Sequence, residues 1–470
     1  MKISKVLLLF ITVAAALFLS ACAGGDENTG VIINGVSAAE TSQEVGLEVT
    51  FTVDFTEINT KVAKVVWDFD DGATAEGTTV SHTFCAGTFF PKVFVYDEDG
   101  RVYFANAKSV KVPAKLLLLV YMGADTSNMT PQVPKDLAEM ENADPFPKDV
   151  AVVCFVDTIQ TDGVRYYQVL PKYLKTLQTL PEQNSGSILT FKNFLEWAKQ
   201  NFSFERVMIV LWDHGTGWYP YTRSSPFTRA IVFDDYSHSA LELSEVAEAI
   251  SDVFTKVDVL GFDACLMGLI ETGSVFKSVA SYVVASELEE PLTGWNYELF
   301  LEKIANLEKS AYQVAKAAVD AYKETYSTYT LMDCSLAVYD MSYWANLEHQ
   351  VSNWASKLAQ LYSDDFDNRV MNPFSEDSPT YNVSVSSPSL YYFDLEGLAR
   401  IWVDATNTAG ATSPDITNAV PYRWTSDTHN WCGVGITVPA TDEVTTWCTY
   451  FEDVMPGWAS LIKRIRGITE

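Results

Sequence analysis

The chain reads MIVLWDHGTGW over residues 208–218 and DVLGFDACLMG over residues 258–268. Each stretch is an apolar run that ends abruptly in small and reactive residues. Runs that are apolar on both faces mark strands buried inside a parallel sheet, with helices covering both sides. Further runs of this texture occupy 116–121, 150–156 and 282–285. Amphipathic stretches near 187–201, 242–254 and 266–279 lie between them and predict helices. Strands alternating with helices give an α/β fold, a mostly parallel sheet sandwiched by helices.

In such a sheet the reactive groups collect in the crevice beyond the carboxyl ends of the strands. One quoted stretch delivers His214 there, into a turn containing Gly215 and Gly217; the other delivers Cys265, between a strand and the start of the predicted helix 266–279. Fifty-one positions separate the two, enough for a helical crossover. Alone, a free cysteine is commonly a small buried hydrophobe, and a histidine at a strand end is commonly structural. Together they make a nucleophile with its base, since a helix dipole and a neighbouring cation both favour the thiolate.

Upstream, residues 31–112 alternate apolar and polar side chains in short runs such as EVTFTVD (48–54) and KVFVY (92–96), broken by Gly and Asp turns. That pattern predicts a small all-β sandwich domain. Val112-Pro113-Ala114 marks its end, and the larger domain occupies 115–470. Within it, residues 298–326 and 341–362 have helical periodicity, whereas 334–339 and 432–438 read as strands. Neither a third domain nor an internal repeat is evident.

Residues 1–21 join Lys2 and Lys5 to a continuous apolar run, which reads as an export signal, and 22–30 form a polar, glycine-rich tether. No later stretch is long and apolar enough for a membrane helix. Against 32 basic side chains stand 61 acidic ones, a net charge of -29. This repels phosphate backbones, so nucleic acid is excluded as a partner. The same field attracts cationic peptides, although acidity also serves solubility. Apart from Cys22 and Cys265, the cysteines (85, 154, 334, 432 and 448) are scattered and lack CxxC spacing, so neither a zinc site nor a dense disulfide framework follows. The sequon at Asn382 is read as incidental, and Asp213, Asp234 and Asp235 as capping or solvent-exposed residues.

Three resemblances sharpen these readings. Leu19-Ser20-Ala21-Cys22 resembles the bacterial lipobox, which implies a diacylglycerol on Cys22 and attachment to a membrane of the cell envelope. Trp67-Asp68-Phe69-Asp70-Asp71-Gly72, with His82 and Gly87, resembles the PKD-type immunoglobulin-like domain, with Asp70 where Gly is more usual. There Trp67 is expected to fill the core, and Asp68, Asp70 and Asp71 to serve a turn rather than a calcium loop. Residues 212–218 and 262–268 resemble the two active-site blocks of the clostripain family of cysteine peptidases; 118–125 with Asn128 and Met129, and 285–297, fit the same family.

That resemblance implies a caspase-like fold, with Cys265 as nucleophile and His214 as general acid/base. The backbone N–H groups of Gly215 and Cys265 are then the natural oxyanion donors. Asp263 either lines a pocket for Arg or Lys at the residue before the cut bond or caps the helix carrying Cys265. Protein or peptide substrates with Arg or Lys are implied. Clostripain-type maturation further implies self-cleavage between the dyad residues, after Arg229 or Arg223, in a loop rich in Ser, Thr and Pro. No cofactor is required; calcium activation is permitted, but no loop has convincing ligand spacing and no metal ligand is assigned. The alternative is a catalytically silent, peptidase-like surface lipoprotein that binds protein or glycan; retention of both His214 and Cys265 argues against it.

Overall fold

The computed structural model describes residues 29–42, 46–159, 163–218, 230–371, 382–383, 391–426, 431–439, 441 and 443–468. Cys22, Arg223 and Arg229 lie outside them.

Ala114–Ala124, Val150–Thr158, Phe204–Trp212, Val257–Asp263 and Ala280–Ala285 are the five strands expected from the apolar runs. They sit at the centre of a nine-stranded sheet and pair in parallel. Two antiparallel strands extend each side. Arg165–Leu170 and Tyr173–Thr179 flank Val150–Thr158, while Ser335–Asp340 and Tyr422–Thr425 flank Ala280–Ala285.

Successive side chains of a strand point to opposite faces, so Ala114–Ala124 feeds two cores. Leu117, Leu119 and Tyr121 pack with Phe191, Val246 and Trp344, from the helices Ile188–Asn201, Leu243–Phe254 and Trp344–Ala359. Leu116, Leu118 and Val120 join Leu137, Phe300 and Val314, from Val133–Asn142, Tyr297–Ala305 and Ala311–Tyr326. All six strand residues are essentially inaccessible to solvent. Burying each large apolar side chain contributes about 1.5–3 kcal/mol.

The N-terminal segment forms the expected sandwich, with antiparallel pairing throughout. Trp67 is fully buried in its core. Asp68 accepts the Asp70 N–H at 2.9 Å and Asp71 accepts the Ala73 N–H at 3.1 Å, the turn roles expected of them. Asp70 also reaches across to the larger domain, with Lys175 Nζ 2.7 Å from its Oδ2. The same ammonium lies 3.1 Å from the Thr88 carbonyl, and Gln168 donates to the Ala86 carbonyl at 2.8 Å. The sandwich core runs on into one face of the large sheet.

Two differences from the sequence reading bear on the site. The helix expected over 266–279 is confined to Ile270–Phe276, so Cys265 lies in a turn and not in a helical first turn. A hairpin of Ala230–Asp234 and Ser239–Glu242 stands between the His214 strand and the helix Leu243–Phe254 in the chain.

Candidate active site

Phe204–Trp212 and Val257–Asp263 are adjacent, and their register pairs Trp212 with Asp263. Both chains leave the sheet at the same level, and His214 and Cys265 line one cavity together with Met129, Trp212, Asp263 and Glu290. Gly215 permits this closeness. A Cβ there would lie 2.5 Å from the Cys265 carbonyl oxygen, inside any real contact.

Cys265 is partly buried. Its Sγ accepts the Glu290 N–H at 3.2 Å and lies 3.8 Å from the Glu290 carbonyl. Burial pushes the thiol up to about 12, with the charges of Glu290, Glu289 and Asp263 adding to it. This corrects the expectation of a thiolate favoured by a helix dipole: the short helix begins five residues later, and the surroundings are acidic. Burial also lowers His214 below the usual histidine range. The resting pair at neutral pH is therefore a thiol and a neutral imidazole.

Asn128, in the turn after Ala114–Ala124, places its side-chain amide against His214 Nε2, with Oδ1 at 3.1 Å and Nδ2 at 2.9 Å. The Thr126 hydroxyl donates to that Oδ1 at 3.1 Å. With Nε2 so engaged, Nδ1 is the nitrogen left to exchange a proton.

Asp263 is buried at the cavity wall, where its oxygens accept the Trp295 N–H at 3.0 Å and the Tyr297 hydroxyl at 2.8 Å. Burial pushes its carboxyl up to about 7. It caps no helix, since the N-cap of Ile270–Phe276 is Leu269. Glu290 is beside it; burial, then the Asp263 charge, push its carboxyl well up, and neither of its sealed oxygens finds a well-formed hydrogen bond. The cavity thus holds a thiol, an imidazole and two carboxyls that burial holds toward their protonated forms.

His214, Gly215, Asp263 and Cys265 come together as expected. Asp213 and Asp234 are buried rather than exposed, and both accept backbone N–H groups, Asp213 from Phe233 at 2.5 Å and Asp234 from Ser185 at 2.9 Å. Asp235 is exposed. Asn128 and Glu290 had no assigned role in the sequence. Both follow strands of the parallel sheet, so the rule that marked His214 and Cys265, applied to every strand end, would have found them.

The sequence model of the clostripain family matches residues 120–438, and that of the PKD domain matches 35–112. Clostripain of Hathewaya histolytica is 27% identical over 135 residues, which cover 26% of this chain and only 25% of clostripain. The secreted C11 cysteine protease "iotapain" of Bacteroides thetaiotaomicron superposes with a TM-score of 0.57 at 16% identity, over 74% of this chain and 99% of that one. An inactive zymogen C11 protease from Parabacteroides distasonis superposes at 0.54 and 18% identity, over 75% of this chain and 99% of that one. At such identities the superpositions establish the fold alone. With the family model spanning more than half of its length, the chain belongs to the clostripain family, the C11 cysteine proteases.

Proposed function

We propose that the protein is an active cysteine endopeptidase that cleaves after Arg or Lys, with Cys265 as nucleophile and His214 as general acid/base. The observation that carries this reading is the convergence of His214, Cys265 and the buried Asp263–Glu290 pair on one cavity. Because burial keeps the thiol protonated, attack on the peptide carbonyl is coupled to transfer of the thiol proton to His214. The imidazolium then protonates the leaving amine, and water hydrolyses the thioester with His214 again as base. The backbone N–H groups of Gly215 and Cys265 are the proposed oxyanion donors. The neighbouring ladder runs through the Thr216 N–H to the Ala230 carbonyl, which leaves that of Gly215 outside that bond.

A guanidinium or ammonium entering the cavity draws the proton from Asp263, and Glu290 adds a second carboxyl to the same wall. Matched fluorogenic peptides ending in Arg, Lys, Asp or Leu test this. Arg and Lys should be strongly preferred, and Asp263→Asn should erase the preference. As pH falls through about 7, Asp263 takes up its proton and KM for Arg peptides should rise. Equal rates on Arg and Leu would rule out the acidic pocket.

We further propose that Cys22 carries lipid, tethering the enzyme to the cell envelope, and that maturation cuts after Arg229 or, less favoured, Arg223. The intact mass of protein purified from its host reads both. A single unmodified chain that is fully active would contradict both.

A further inference from the structure

We propose that Asp136 is a positioning residue for the substrate pocket, holding the indole of Trp212 in place as the wall next to Asp263. This role rests on the reading of the catalytic cavity as a pocket for Arg or Lys. Trp212 ends Phe204–Trp212, and the parallel register sets it opposite Asp263, which ends Val257–Asp263. Paired residues of neighbouring strands point to the same face of a sheet, so the indole and the carboxyl stand side by side. Both residues line the cavity that holds His214 and Cys265. The Trp212 Nε1–H donates to Asp136 Oδ2 at 2.7 Å.

Asp136 stands where the pattern of its helix calls for an apolar residue. In Val133–Asn142 the buried positions are Val133, Asp136, Leu137 and Met140, a single stripe along the helix. Asp136 is 3% exposed and Trp212 2%. A carboxyl at such a position is costly without a hydrogen-bond partner, and the indole N–H supplies one. The groups around it are mostly neutral or acidic. Asp263 and Glu139 repel its charge, Lys135 on its own helix attracts it, and Cys154 and Tyr297 feel it from Val150–Thr158 and Tyr297–Ala305. Burial, followed by the Asp263 and Glu139 charges, pushes its carboxyl up to about 8. At neutral pH Asp136 therefore keeps its proton and serves as an acceptor, a role that an amide can mimic.

An indole has a single donor, so in a sealed wall the ring takes its direction from one acceptor. Without Asp136 that N–H turns the ring toward another oxygen or stays buried and unpaired, and either way the wall shifts against Asp263. Asp263 itself is already fixed by the Trp295 N–H and the Tyr297 hydroxyl, so the freedom lies with Trp212. Asp136 is not among the residues that line the cavity, and its effect passes through the indole. The expected signature is a change in substrate binding and not in the chemical step.

Steady-state kinetics on the full chain, with peptides ending in Arg and in Leu, test the proposal. Asp136→Leu removes the acceptor at similar volume and should raise KM for the Arg peptide about tenfold, with kcat within about twofold of wild type. Asp136→Asn keeps an oxygen acceptor and should recover most of that loss. Trp212→Phe removes the donor from the other end of the same bond, so adding Asp136→Leu to it should raise KM little further. Alkylation of Cys265 by iodoacetamide, which makes no use of the pocket, should keep its rate in Asp136→Leu, and circular dichroism verifies folding. An unchanged KM in folded Asp136→Leu, an equal rise in Asp136→Leu and Asp136→Asn, or an undiminished effect of Asp136→Leu in the Trp212→Phe background would overturn the proposal. If Asp136→Leu does not fold, Trp212→Phe carries the test, and a wild-type KM there would overturn it as well. Equal turnover of Arg and Leu peptides by the wild-type chain would instead fault the pocket reading.

Discussion

At His214, the Asn128 amide occupies Nε2, and this choice of nitrogen determines how the proton moves. An Nε2–H donated to Oδ1 leaves the Nδ1 lone pair to take the thiol proton. Asn128→Ala should therefore lower kcat on the order of 10- to 100-fold with KM little changed, since the ring loses its orientation. Asn128→Asp keeps the acceptor and adds a charge that favours the imidazolium. Its histidine pKa should rise, moving the acid-side loss of kcat/KM to higher pH. Profiles of kcat and kcat/KM against pH for both variants check this; a kcat in Asn128→Ala equal to wild type would remove Asn128 from the site. His214 and Cys265 were legible in the sequence because each ends an apolar run. The protonation of Cys265 was not, because it depends first on burial in the folded chain and then on the charges of Glu289 and Glu290, more than twenty residues away in sequence.

The turn carrying Cys265 shows why one element was misread. Residues 264–269 have the apolar pattern of a buried helix face, yet their backbone bonds go sideways. The Leu266 N–H donates to the Leu288 carbonyl at 3.0 Å, and the Gly268 N–H to that of Ser286 at 2.6 Å. A Cβ on Gly268 would sit 2.4 Å from the Glu287 nitrogen, so the segment lies flat against its neighbour, and burial there has no helical cause. The hairpin of Arg165–Leu170 and Tyr173–Thr179 was missed for another reason. Its side chains alternate weakly because part of one face is covered by the sandwich, through Gln168 and Lys175. The close passage of Gly215 over the Cys265 turn leads to a prediction at this scale. Gly215→Ala should displace the two turns and cost kcat on the order of 100-fold, with the melting curve still cooperative. Unchanged turnover in a folded Gly215→Ala protein would show that the approach is not needed for catalysis.

For the molecule as a whole, the sequence conveyed a two-part architecture and the five central strands, since burial on both faces leaves a continuous apolar record. Of the antiparallel strands at the margins Ser335–Asp340 was read, as 334–339, and the other three were not; nor were the helices beyond residue 390, among them Val444–Phe451 and Pro456–Ile465, whose Trp447 and Trp458 share a core with Leu266 and Met267. Acidity likewise has two faces. Among the described residues most acidic side chains are not buried, but Asp263 and Glu290 are buried in the wall of the catalytic cavity. The account stands or falls on whether Cys265 is a nucleophile reached through a cation-selective pocket. Treatment with an arginyl chloromethylketone, followed by peptide mass mapping, tests this directly. The account predicts one adduct, on Cys265 of the wild-type chain, slowed by excess arginine substrate and absent from Cys265→Ala. An unlabelled wild-type protein, or equal labelling of the Cys265→Ala chain, would contradict it.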